Sequence, residues 1–450
     1  MKKLFTSILT GAFAVSLIIG DFSVKTPFFN YQNIETAHAA FDQKFGQFTL
    51  NTTTGNQSVT GLGFQPKIVL FFSSADTADG GTNTGTTMFG AADGTNQWVT
   101  ETGGMWGFGA GGWDYSNWKT DRILYFSVGF GVTVDADFVS LDADGFTIDV
   151  NIAGGSAAVV HYLALGGSDL SAKVGNFTLN SSTGNQSVTG VGFLPEFVFF
   201  SNSKSGTGTT EEAYGMISFG GSVSSTEEFT VAIDGSGGNT NPTEENGSLI
   251  TTKSLRRQSA GAVSWEADFI SNDSDGFTID ITTASGSPAI GYFALTGLTY
   301  KIGTATQKTT TGAQATTGVG FQPEAILFFG DGKATSTSIS AHSGISVGGA
   351  TSSTARGFIA SQGQDAVASN TKYQSYNHVS HAFGSITATS SSNNPTLTGR
   401  ADFTSFDADG FTLNWGTTDG TAREFVYVAF GQDAGGGSPS EFMISISDGE

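Results

Sequence analysis

The chain contains no cysteine. No disulfide can staple it, even outside the cell, so each folded unit is expected to stand on its own core. Charge is also scarce: 13% of the 450 residues are charged, with 19 basic residues against 40 acidic ones and a net charge of −21. So few Lys and Arg disfavour nucleic acid and anionic membrane surfaces as partners. Proline (8) and histidine (5) are rare, and no segment sustains a helical period. Beyond the first 20 residues no apolar stretch is long enough to cross a bilayer as a helix. A phosphate-loop lysine motif and zinc-ligand spacings are missing as well.

What is present is glycine (63), phenylalanine (38) and abundant Thr and Ser. That composition points to an all-β protein rich in turns. The N-terminus reads differently. Lys2 and Lys3 precede an apolar run over residues 4–20, and Ala37-His38-Ala39 supplies small residues for cleavage. Residues 1–39 are therefore expected to be a secretory signal, with a retained anchor as the alternative. Removing them takes a net +1 away and leaves −22 on the mature chain.

One phrase is written three times. Residues 48–66 read FTLNTTTGNQSVTGLGFQP and residues 177–195 read FTLNSSTGNQSVTGVGFLP, identical at 15 of 19 positions, with a looser copy ending at Pro323. A second phrase closes each copy: DADGFTIDV from Asp142, DSDGFTIDI from Asp273 and DADGFTLNW from Asp407. Phe64, Phe193 and Phe321 lie 129 and 128 residues apart, a domain-sized period rather than a solenoid unit.

Within each copy an unbroken apolar run (Ile68-Val69-Leu70-Phe71-Phe72 in the first) calls for a strand covered on both faces. The Asp-Gly step between alternating segments calls for a tight hairpin. The expected architecture is three tandem β-sandwich, jelly-roll-like domains over residues 40–170, 171–298 and 299–432, with a flexible tail over 433–450. Short connections predict either a semi-rigid rod or a pseudo-threefold cluster.

Two constellations are candidate sites. Asp142 and Asp144, Asp273 and Asp275, and Asp407 and Asp409 place carboxylates one residue apart, as a calcium ion would accept, with Asp137, Asp268 and Asp402 upstream. The alternative is a turn whose aspartates accept backbone hydrogen bonds. In the first copy Trp98, Trp106, Trp113, Tyr115 and Trp118 crowd a glycine-rich stretch, a composition suited to stacking against sugars. The matching stretches of the other copies differ, as binding loops on a constant scaffold do. His378 and His381 are spaced so that a strand would point them to opposite faces. His161 is matched by Gly291 and Val426, so no histidine recurs, and no enzyme activity is expected.

The pairing of TTGVGFQPEAILFFG with DADGFTLNWGTTDGTAREFVYVAFG resembles β-rich repeats of uncharacterised phage virion and tail-associated proteins, and of bacterial exported surface proteins. The resemblance spans residues 44–432 and rests on turn and core signatures. It implies a structural or adhesive module with no catalytic residues to carry over. Virion proteins normally lack a secretion signal, so residues 1–39 favour a secreted or cell-surface protein whose partners are surface glycans or other surface or virion proteins, with a mature chain not embedded in a membrane.

Overall fold

In the computed structural model every regular element among the described residues is a β-strand. The structure describes residues 41–432 apart from 78, 83, 106–113, 129–130, 156, 205, 213, 237–244, 260, 334–338, 342, 365–371 and 388–394. The signal and tail expectations (1–39 and 433–450) lie outside the described residues.

In the first repeat the strands are β1 (Asp42–Thr49), β2 (Gly55–Thr60), β3 (Pro66–Ser73), β4 (Gly80–Thr82), β5 (Thr84–Ala92), β6 (Gln97–Met105), β7 (Asp114–Lys119), β8 (Leu124–Val128), β9 (Gly131–Asp142), β10 (Gly145–Ile152) and β11 (Val159–Gly166). They form two antiparallel sheets, β1-β11-β3-β5-β6-β7 and β2-β10-β9-β8. The second and third repeats reproduce both sheets, making six in all. Strand β3 turns back beside β5 within one sheet, and β8, β9 and β10 follow one another in the other. The order is thus two meanders joined by crossovers rather than a jelly roll, because tight turns keep consecutive strands adjacent.

The apolar run of β3 explains the layering. Its side chains alternate between faces. Val69 and Phe71 enter a cluster with Phe146, Ile148 and Val150 of the smaller sheet. Ile68, Leu70 and Phe72 face the other way, into a core built by all three repeats. Phe197 and Phe199 reach that core from the second repeat, and Leu327 and Phe329 from the third. Ring contacts cross two of the boundaries, Phe89 to Phe199 at 5.1 Å and Phe199 to Phe329 at 5.5 Å, while Phe45 and Phe72 meet at 5.8 Å within repeat one. The expectation that each repeat relies on its own core is corrected accordingly. Each has one, and all three share another.

The edges of the large sheets close the arrangement. Strand β7 meets the second repeat through paired backbone bonds between Ser116 and Glu212, both 3.1 Å. Strand Asn246–Ile250 of the second repeat pairs with Ser340–Ala341 of the third, and Lys372–His378 of the third pairs with β4 of the first. The opposite edges are capped at one repeated position. The Phe45 N–H donates to Thr351 Oγ1 (3.1 Å), the Val174 N–H to Asp93 (2.8 Å) and the Ile302 N–H to Glu227 (2.7 Å), each acceptor coming from a neighbouring repeat. A sheet edge with unpaired N–H and C=O groups invites mispairing, and a ring engages those groups internally. Of the two arrangements open to the sequence, the chain adopts the cluster, and the described residues between 41 and 432 form one unit.

Candidate functional site

Three of the five aromatic candidates are interior. Trp98 (0% exposed) and Trp118 (2%) lie on β6 and β7 and face the shared core, while Tyr115 (0%) points to the opposite, also buried, face of β7. The two indoles stack at 6.0 Å, and Trp98 Nε1 donates to the Tyr292 carbonyl of the second repeat (3.0 Å). The Tyr115 hydroxyl donates to the Ser127 carbonyl. The two indoles fill the junction of repeats one and two and Tyr115 is buried within repeat one, so none of the three presents an exposed face to a sugar. Trp106 and Trp113 lie outside the described residues.

The segments 106–113, 237–244 and 365–371 occupy equivalent positions, each joining the last two strands of a large sheet. The strand ends that carry them converge. A Cβ on Gly104 would stand 2.9 Å from Tyr373 Cβ, and one on Gly215 3.1 Å from Asp114 Cβ. Glu245 lies against Gly235 and Gly363 and accepts from Ser343 Oγ at 2.5 Å. Burial, then the nearby Asp114 carboxylate, raises the Glu245 pKa well above the ordinary value of 4.5. Glycine at these positions is what lets three repeats bring backbones and carboxyl groups this close.

The Asp-Gly turns are built alike in all three copies. The second aspartate accepts two backbone N–H groups from the glycines of the repeated GxG phrase. Asp144 takes Gly61 (3.1 Å) and Gly63 (2.6 Å), Asp275 takes Gly190 (3.1 Å) and Gly192 (2.7 Å), and Asp409 takes Gly318 (3.0 Å) and Gly320 (2.6 Å). These amides hold the Asp409 pKa below its ordinary value. The first aspartate accepts hydroxyls. Asp142 binds Ser140 and Thr147, Asp273 binds Ser271 and Thr278, and Asp407 binds Ser405 and Thr412, all at 2.7–2.8 Å. Every oxygen of these six carboxylates meets a donor, which is the turn reading. The upstream aspartates are tied elsewhere: Asp137 to Arg122 (2.9 Å), Asp268 to Lys253 (2.6 Å) and Asp402 to Arg356 (3.2 Å). Among the described residues no group of three or more His, Asp or Glu side chains could hold a metal ion.

Several polar groups went unremarked in the sequence. Glu101 is fully buried, accepting the Ser127 N–H (2.7 Å), Ser127 Oγ (3.0 Å) and Asn117 Nδ2 (2.8 Å), and burial pushes its pKa up to about 8. Its signal was slight: a lone acid two residues from Val99, on the same inward face of β6. His378 and His381 depart from the expected spacing. The strand ends at His378 and the chain bends, so the rings meet at 4.1 Å. His378 Nδ1 lies 3.3 Å from Asp79 of the first repeat, and His381 Nδ1 bonds Asp402. Burial, then the neighbouring His381, lowers the His378 pKa to about 4. Gly344-Ile345-Ser346-Val347-Gly348 matches a hydrolase glycine–serine pattern, but it lies inside strand Ser343–Ala350. A nucleophile elbow needs a strand-to-helix turn there. A shallow cleft of about 420 Å³ beside Lys119, Arg122, Tyr125 and Asp135 sits at the junction with Thr209. Its cations are engaged: Lys119 with the Thr209 carbonyl and Arg122 with Asp135 (3.3 Å).

No protein-family model and no curated protein matches the chain. Among solved structures it is similar to a fructofuranosidase from Schwanniomyces occidentalis complexed with fructose, at 6% identity and TM-score 0.11, covering 86% of this chain and 98% of that one. A BenF-like porin from Pseudomonas fluorescens Pf-5 follows at 11% identity and TM-score 0.10, with the same coverages. Likenesses at that level carry no argument about fold or function. Among the described residues no helix is long and apolar enough to cross a membrane.

Proposed function

We propose that this chain is an exported, surface-displayed structural and adhesive protein, in which three tandem β-sandwich repeats form one head and differ in sequence at one equivalent strand-to-strand connection, here called the tip. The observation behind this reading is the contrast between frame and tip. The frame repeats down to single hydrogen bonds, as at Asp144, Asp275 and Asp409. The tips at one equivalent position read WGFGAGGW, GGNTNPTE and DAVASNT. A fixed scaffold with divergent connections distributes contacts, and several weak contacts on one body add through effective concentration. The role is binding rather than catalysis, since the carboxylates that recur are spent on turn bonds.

The second reading is carbohydrate binding through the first tip, favoured by Trp106 and Trp113 flanking its glycines. The test is glycan-array and whole-cell binding by the full chain, beside W106A/W113A and a variant with 106–113 cut to a two-residue turn. Loss of binding with an unchanged melting temperature supports both readings. Cell binding that survives both changes and reaches no glycan keeps adhesion and removes the sugar. Folded protein that binds neither cells nor glycans overturns the adhesive role. Protein beginning at Met1 inside purified phage particles would replace it with a virion component.

A further inference from the structure

Three equivalent sites line the faces where one repeat meets the next, and each is filled differently. The register identifies them. Trp98, Phe229 and Gly357 stand opposite Ala91, Gly221 and Gly349, one step past the glycines Gly90, Gly220 and Gly348. On the adjoining strand Trp118, Leu249 and Asn377 pair with Thr100, Val231 and Ile359. The facing position in the neighbouring repeat is the one before the repeated tyrosine: His161, Gly291 or Val426.

The fillings are complementary in size. Between repeats one and two, Trp98 and Trp118 occupy the whole site and the facing residue is Gly291, where a Cβ would lie 2.7–2.8 Å from both indoles. Between repeats three and one the sizes reverse. Gly357 is the small residue, a Cβ there would collide with the His161 ring, and His161 Nε2 bonds Asn377 Oδ1 at 2.7 Å. Between repeats two and three the site is uniformly medium-sized. Phe229, Leu249 and Val426 are all buried in the shared core, with Phe229 5.3 Å from Phe329, the register partner of Val426.

We propose that these sites are keys that make each face accept only its own neighbour, excluding rings built from three copies of one repeat. Three first repeats would set Trp98 and Trp118 against His161, an overpacked site. Three second repeats would set Phe229 and Leu249 against Gly291, and three third repeats would set Gly357 and Asn377 against Val426, leaving voids and an unpaired buried amide. The partner each face fits is therefore the adjacent repeat of this chain, or that same repeat from a second copy. Chains with near-identical tandem units are prone to misassembly between molecules, and mismatched faces are a defence against it.

Two measurements on the full chain test this. The first is a mutant cycle read by melting temperature. G291V is expected to lower it sharply, W98F/W118L to lower it through a void, and the combined W98F/W118L/G291V, which copies the Phe-Leu-Val filling, to recover most of the loss. A combined variant no better than the sum of its parts would overturn the complementarity. The second is refolding from denaturant at high concentration, followed by light scattering on a sizing column. A chain given Phe-Leu-Val at all three sites, by adding H161V/G357F/N377L, is expected to yield several-fold more multi-chain species than the parent. Refolding as clean as the parent's overturns the keying role. If that chain does not fold, the G357F/N377L/H161V set alone is scored in the same cycle, where additivity again counts against the proposal.

Discussion

At the scale of single residues, burial of ionisable groups dominates. Glu101 is the clearest case. Its ordinary pKa is 4.5 and burial raises it to about 8 in the folded chain. The unfolded chain thus releases this proton first as pH rises. The stability that Glu101 contributes is complete below pH 4.5 and is lost as pH climbs through 8, an effect on the order of a few kcal/mol. Glu228, raised to about 7 by burial, works in the same direction. Denaturation midpoints measured between pH 5 and 9 are expected to fall steadily for the parent chain and more gently for Glu101→Gln. A parallel decline in the two proteins would remove Glu101 as the cause.

At the scale of elements, the repeated hairpin is a hydrogen-bonded clasp. The carboxylate of Asp142 gathers two hydroxyls, and Asp144 gathers two amides from the preceding glycine phrase. Asp142→Ala is expected to cost about 1–3 kcal/mol in urea denaturation, because two hydroxyls lose their acceptor. Millimolar calcium, compared with excess chelator, is expected to leave the parent's melting temperature unchanged. A rise with calcium would show that the turns bind the ion as well. Much of this level was legible beforehand. The turn phrase, the doubly apolar strand at Ile68–Phe72 and the closing hairpin all carry local signatures in adjacent residues. The tryptophans did not. Trp98 and Trp118 look like an exposed platform in the sequence because their cover comes from Gly291, 193 residues beyond Trp98. Glu101 and Glu245 were missed for the same reason: an acid in a strand is ordinary until its partners from distant segments are known.

At the scale of the whole molecule, the three repeats behave as one body because each contributes Phe side chains to one shared cluster. Exposing one repeat's inner face exposes the others', so thermal unfolding should be a single transition by calorimetry and by tryptophan fluorescence. Cutting the connection near residues 167–170 or 297–298 should leave fragments that co-elute on a sizing column. Two separate transitions, or a freely released fragment, would show that the shared core contributes little. Nothing in a repeat period of 128–129 residues distinguishes a string from a ring. That choice is made by long-range pairs such as Ser375 with Thr82 and Val379 with Asp79.

The ring also has a consequence under mechanical load. Two of its three seams are bridged by the backbone, through the connections after Gly166 and Thr296, whereas the seam between repeats three and one is held only by non-covalent contacts. Among these are the three register pairs Ser375–Thr82, Tyr376–Gly81 and Asn377–Gly80, the bonds from the Val379 N–H to Asp79 and from the Phe45 N–H to Thr351, the His161–Asn377 contact and the shared core. Tension applied across residues 41 and 432 acts on the first strand of repeat one and the last strand of repeat three, the two repeats that flank that seam. Opening of that seam would part the ring like a clasped bracelet, with the three repeats still joined in one chain as its links.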